Sequence, residues 1–173
     1  MADVALRELT EGDEAAFLNA VAEFEATDPD WEFAFHFDEA ARADFRGYVG
    51  RLRRWSRGAD LPAGWVPNTF LVGAAGDRIA GRLSLRHQLD DFLREVGGHV
   101  GFGVVASCRR RGYATAMLRQ SFPLARDLGI DRLLVTCDET NLASRAVIER
   151  CGGILEDTRP RDDGITRRYW IAL

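Results

Sequence analysis

Apolar and polar residues change their period several times along this chain, and each change marks an element. Val4 to Leu9 alternates apolar with polar, the pattern of a half-buried strand, and Thr10 with Asp13 then opens a helix running to about Glu25. After an aromatic and acidic stretch from Thr27 to Asp38, Glu39 to Ser56 returns to a helical period with Phe45, Val49, Leu52 and Trp55 on one face. Gly58 to Pro67 is a loop punctuated by Gly and Pro. Thr69–Ala75, Arg78–Arg86 and His99–Val105 read as three successive strands, the first two joined by a Gly76-Asp77 hairpin turn. A helix is expected from near Gly112 to Leu128, stopped by Gly129 and kinked at Pro123, which lacks the N–H that a helix interior needs. Leu133–Cys137 is a buried strand, Ala143–Arg150 a helix ended by Gly152-Gly153, and Ile165–Ala172 a last strand. The order predicts a mixed α/β domain over residues 1–173, an antiparallel meander followed by strand-helix-strand units.

Composition narrows what such a domain can do. A hydrophobic share of 46% beside 29% charged residues is that of a water-soluble globular chain, with no apolar run long enough to span a bilayer and no signal-peptide stretch at the N-terminus. The expected location is the cytoplasm. Cys108, Cys137 and Cys151 lack metal-ligand spacing, so neither a disulfide framework nor a metal site is expected. A net charge of −4 speaks against a general nucleic-acid partner. All 23 basic residues are arginine.

The chemistry concentrates in the run from Gly101 to Leu118. A hydrophobic strand enters an arginine-rich turn, Arg109-Arg110-Arg111-Gly112, and passes directly into the helix of Tyr113, Ala114 and Thr115. Free backbone N–H groups at a helix start converge on one point, and the helix dipole favours an anion there. Gly112 would let a phosphate approach the backbone, and the three arginines would add positive charge. The competing reading is a surface turn with solvated arginines. The Gly-Lys-Ser/Thr ending of a P-loop and the three-glycine dinucleotide fingerprint are both missing, so nucleotide hydrolysis and hydride transfer lose ground.

Arg109-x-x-Gly112-x-Ala114 resembles the Q/R-x-x-G-x-G/A signature of the GNAT N-acetyltransferases. A second block, Asn141-Leu-Ala-Ser-Arg-Ala-Val-Ile-Glu-Arg-Cys-Gly-Gly153, follows the next strand and is similar to the family's asparagine-led helix. The firm resemblance covers residues 69 to 157. It implies the GNAT fold, a mostly antiparallel sheet splayed between the strands at 99–105 and 133–138 with helices on both faces. It also implies acetyl-CoA as cosubstrate, no metal, and an amine as the acceptor. The coenzyme would be held by Val104, Val105, Arg109, Arg110, Arg111, Gly112, Tyr113, Ala114, Thr115, Asn141 and Ser144, its pantetheine arm pairing with main-chain groups near Val104. Asn141 has a second possible role as a helix N-cap. Two positions depart from the family pattern. Ala106 stands where a proline is common, and Ile148 where many members carry a tyrosine acid.

The expected reaction is direct attack of a neutral amine on the thioester in a ternary complex. His99 is the first candidate for the base, with Glu95, His36 or a water-linked carboxylate as competitors and a packing role for His99 as the alternative. The backbone N–H of Val104 is the expected oxyanion donor. Acidic residues interleave with aromatics between Glu23 and Glu39, which suggests a small cationic amine as acceptor, against a reading in which the same residues merely cover the core. A non-catalytic acyl-CoA-binding sensor is the alternative function, and a homodimer stays open.

Overall fold

The computed structural model describes residues 3–173. Among these residues seven strands form one sheet in the order β1-β2-β3-β4-β5-β7-β6. They are β1 (Ala5–Glu8), β2 (Asn68–Ala75), β3 (Arg78–Arg86), β4 (Val100–Val104), β5 (Arg132–Asp138), β6 (Ile154–Arg161) and β7 (Gly164–Ala172). Five α-helices accompany them: α1 (Glu14–Thr27), α2 (Glu39–Ala43), α3 (Phe45–Ser56), α4 (Tyr113–Asp127) and α5 (Leu142–Arg150). Adjacent strands are antiparallel except β4 and β5, which run parallel.

Alternation along the strands sends side chains to two separate cores. On one face Phe70, Val72 and Ala80 pack with α1 and α3 around Phe17, Phe24, Phe45, Tyr48 and Val49. On the other, Leu71, Leu83, Leu85, Val100, Leu133 and Val135 meet Met117 and Leu118 of α4 and Ile148 of α5. Phe33, Phe35 and Phe37 of the Thr27–Asp38 stretch join the first core, while Trp31 stays exposed: Phe33 is 2% exposed, and Phe17 has Phe33, Phe37, Phe45, Tyr48 and Phe70 as ring neighbours.

Three local features depart from the sequence reading. The helix expected over Glu39–Ser56 is broken at Asp44, whose carboxylate caps α3 by accepting from the Gly47 N–H at 2.9 Å. β6 was not expected. Its side chains are largely exposed and include Glu156, Asp157, Arg159, Pro160 and Arg161, the composition of an edge strand that discourages further pairing. A π-helical turn, Leu93–Gly97, precedes β4. At Pro123, α4 continues as one helix.

The feature that creates the site is the β4–β5 boundary. β3 and β4 pair from Gly81–Val104 to Leu85–Val100, whereas β4 and β5 share the single pair Val100–Val135. Beyond it the two strands part, so the edge of β4 from Gly101 to Val104 is left open. α4 and α5 each begin at the C-terminal end of one of these parting strands.

Candidate active site

Hydrogen-bond alternation decides which main-chain groups face the opening. The Val105 N–H donates to the Ala80 carbonyl at 3.0 Å, which makes the odd-numbered residues of β4 the partners of β3. The polar groups of Phe102 and Val104 therefore point to the other edge, where β5 has moved off. The Val104 carbonyl accepts from Arg109 Nε at 3.0 Å, which leaves its N–H for the opening. Val105 does not fit the expected contact. It is fully buried, its N–H is used on Ala80, and its carbonyl accepts from Cys108 N.

The turn after β4 leads into a helix start that no side chain caps. Gly112, at φ 78°, precedes α4 without any side-chain cap, so the first N–H groups of the helix, at Tyr113, Ala114 and Thr115, have no partner from a capping side chain. Arg110 and Arg111 are exposed, and Arg110 also adopts a positive φ of 62°. Arg109 behaves differently from its two neighbours. Its guanidinium pairs with Asp28 at the end of α1, so it ties the turn down instead of projecting toward the helix start. Glu23 does similar work, accepting from Ser107 N at 2.6 Å and from Ser107 Oγ at 3.0 Å. The Ser107 N–H holds the Glu23 carboxyl below its ordinary range. These two ties from α1 shape the turn that Ala106 begins in place of a proline.

Across the opening, Asn141 caps α5. Its Oδ1 accepts from Ser144 N at 3.0 Å, and the exposed side-chain NH₂ has no hydrogen-bond partner among the described residues. Ser144 sits one turn inside the helix, half-buried. Opening, bare helix start and Asn141 thus lie at the same end of the parted strands, where open α/β sheets place their ligands.

A family model described as an acetyltransferase (GNAT) domain matches residues 3–154. The chain belongs to the GNAT acetyltransferases. Solved structures agree on the fold of this GNAT chain. RimJ of Mycobacterium smegmatis, in complex with CoA-disulfide, is 21% identical, with 98% of this chain and 81% of that one covered and a TM-score of 0.73. The Salmonella typhimurium acetyl transferase that modifies the N-terminal serine of ribosomal protein L7/L12 is 17% identical over 100% and 96% of the two chains, TM-score 0.69. The microcin C7 self-immunity acetyltransferase MccE, in complex with acetyl-CoA and AMP, is 15% identical over 100% and 94%, TM-score 0.72. No curated protein matches. No helix among the described residues is long and apolar enough to cross a membrane.

The geometry of this acetyltransferase does not fit His99 as the base. Its Nδ1 accepts from the Leu134 N–H at 2.9 Å, and its own N–H donates to the Leu134 carbonyl at 2.7 Å. A neutral ring whose Nδ1 accepts carries its proton on Nε2 and has no free lone pair. The ring is also at the closed end of the split, five residues and roughly 16 Å of strand away from Val104. Burial, with help from Arg94 and Arg86, pushes its pKa down to about 4. The residue is a clasp at the apex of the opening. His99→Ala should cost about 1–3 kcal/mol by stranding the Leu134 N–H. The sign of the pH effect follows from the depressed pKa. The stability contribution is complete above about pH 6.5 and is lost as pH falls toward 4, so the wild-type melting temperature should drop across that window more than the variant's.

The competitors are placed no better. Glu95 pairs with Arg159 at 3.4 Å, and His36 lies against Trp55 and Trp65 beside α3. Ile148, where a tyrosine acid was absent from the sequence, is a fully buried core residue.

Proposed function

We propose that this chain transfers the acetyl group of acetyl-CoA to an amine by direct attack in a ternary complex. The single observation that carries the reading is the unpaired β4 edge lying beside the uncapped start of α4. That edge offers the N–H groups of Phe102 and Val104 to an extended amide-bearing arm and to the thioester oxygen. The helix start offers Tyr113, Ala114 and Thr115 N–H groups, with Arg110 and Arg111 nearby, to a pyrophosphate. Asn141, through its exposed side-chain NH₂, and Ser144 complete the far wall. The N–H of Val104 is our assignment for the oxyanion donor.

Energetics select the kind of amine. His87, the third histidine, bonds through Nε2 to Thr69 Oγ1 at 2.8 Å, and with no histidine assigned as the base an acceptor that is already partly neutral is favoured. For a lysine-like amine at pH 7 the neutral form costs roughly 4.6 kcal/mol, but for an α-amine of pKa about 7.7–8.0 only about 1–1.4 kcal/mol. The leaving thiolate, with a pKa of about 8.5, costs about 2 kcal/mol and needs no side-chain acid. An α-amino group is therefore the better acceptor, in line with the N-terminal serine modified by the Salmonella typhimurium relative. The small cationic amine expected from the acidic, aromatic segment keeps only part of its support, in the exposed run of Asp30, Trp31 and Glu32. Phe33 is in the core, Glu23 and Asp28 hold the turn after β4, Glu25 pairs with Arg42, and Asp38 caps α2.

An amine panel with acetyl-CoA, followed by free thiol and by mass of the product, tests the reading. We expect thiol release coupled to acetylation of α-amines and little with polyamines. Tight acetyl-CoA binding without coupled thiol release from any amine would turn the assignment to the non-catalytic sensor.

A further inference from the structure

The acceptor can reach the opening from one face of the sheet only. On the other face, α4 and α5 pack over Val100, Val135 and their neighbours. The face left to the acceptor carries Gly101 and Gly103 of β4, flanked by Trp31 from the segment after α1. Two arginines lie in this face, and neither forms an ion pair among the described residues. Arg82 is 2% exposed, stacked under Trp31 at 3.9 Å and beside Phe35 at 4.8 Å. Its Nη2 donates to the Glu32 carbonyl at 2.8 Å and its Nη1 to Ser84 Oγ at 3.2 Å and the Gly101 carbonyl at 3.4 Å, while its buried Nε has no partner among the described residues. Arg86 gives Nη1 to the carbonyls of Gly97 and Gly98 at 2.9 and 3.1 Å. The carboxylates of Glu32 and Asp90 act on the pair only from farther off.

The two guanidinium groups converge where β4 has no side chain. A Cβ built on Gly101 would lie 3.3 Å from Ser84 Oγ, 3.6 Å from Arg82 Nη1 and 3.7 Å from Arg86 Nη2. Gly101 and Arg86 are partly exposed whereas Arg82 and Ser84 are buried, so Arg86 is the cation that solvent reaches on this face. Ser84 Oγ and Arg82 Nη1 are already turned to the Gly101 carbonyl, each at 3.4 Å, so Arg86 Nη2, with the second cation of Arg82 behind it and no carboxylate in ion-pair contact with either, is the group placed to receive an oxyanion. Burial and the neighbouring Arg86 already push the Arg82 pKa down to about 9, a penalty that a bound anion would relieve.

We propose that this cradle over Gly101, where Arg86 is reached by solvent with Arg82 and Ser84 behind it, binds a carboxylate of the acceptor through Arg86, so that the enzyme acetylates amines accompanied by a carboxylate. The inference rests on the acetyl-transfer reading above and names its substrate class. Two sources share this chemistry: the terminal carboxylate of an amino acid or very short peptide, and an acidic side chain next to a peptide N-terminus.

Matched acceptors with nearly equal amine pKa values separate these sources and test the proposal. Alanyl-glycine is compared with its C-terminal amide, and alanyl-glutamate amide with alanyl-glutamine amide. We expect at least a tenfold higher kcat/KM for the acid in one of the two pairs; the pair that shows it identifies the source. Arg86→Gln should bring that ratio to within about twofold of unity, and Arg86→Lys should keep part of it. Because Arg86 also holds two carbonyls, Gly101→Ala serves as the second variant, filling the cradle with a methyl in van der Waals contact with both cations while leaving their charges and the two carbonyl bonds in place. Equal rates within both pairs, or an acid preference that survives both substitutions, would overturn the cradle. If no amine is acetylated, calorimetry on the CoA-saturated protein with the N-acetylated forms of the same pairs still decides. A tenfold tighter acid that loses its advantage in Gly101→Ala supports the cradle while the transfer reading fails, and equal affinities sink the cradle as well.

Discussion

Gly112→Asp should weaken acetyl-CoA binding at least tenfold in a protein that still folds. Gly112 holds φ 78° immediately before α4, and aspartate is among the side chains that enter this left-handed region at small cost. The substitution therefore puts a negative charge where the unpaired helix N–H groups and Arg110 and Arg111 would receive a pyrophosphate, with little damage to the backbone. Tenfold corresponds to about 1.4 kcal/mol, a small demand on a charge placed beside another of the same sign. Gly112→Asn shares the backbone change and lacks the charge, so it should lose distinctly less. Calorimetric titration with acetyl-CoA, on variants whose circular dichroism matches the wild type, reads the difference. Equal losses in the two variants would mean that shape, not charge, governs the turn, and unchanged affinity in Gly112→Asp would remove the anion site.

Phe33→Ala should cost about 3–5 kcal/mol of folding stability, the usual range for deleting a buried phenyl ring. Phe33 is 2% exposed and lies with its ring centroid 6.0 Å from Phe17 and 5.1 Å from Phe24, inside the core between α1 and the sheet. The urea midpoint should fall with an unchanged denaturant slope, which marks a change in stability alone. Measured well below the new midpoint, the acceptor KM should stay close to wild type. A large rise in KM with little loss of stability would instead place the ring in an acceptor pocket and revive the cationic-amine reading.

These two residues show where the sequence was legible. The place of Gly112 between a strand and an uncapped helix start could be read because those elements and the glycine follow one another closely in sequence. The parting of β4 from β5 came from the family resemblance, since no period or turn signal shows that two strands share one pair. Phe33 was ambiguous because an aromatic run beside acids has the same composition whether it lines a pocket or closes a core. Only tertiary contact with Phe17 and Phe24 separates the two. His99 had two open readings for a related reason: a strand histidine reveals neither its face nor that the neighbouring strand's N–H at Leu134 occupies its lone pair. The cradle over Gly101 was invisible because Arg82 and Ser84 are two positions apart on β3 while the glycine that makes room for them is on β4. β6 escaped because edge strands are made polar, which erases the alternation that reveals central ones.

Amide hydrogen exchange with and without acetyl-CoA tests the central claim most directly, because the proposed contacts are main-chain N–H groups. The account predicts new protection at Phe102, Val104, Tyr113, Ala114 and Thr115, with Val105 unchanged because its N–H already bonds to Ala80. Acetyl-CoA binding that leaves those five amides exchanging at their free rate, or that protects instead the groove between β1 and the end of α4 near Leu6, Leu124 and Leu128, would contradict it.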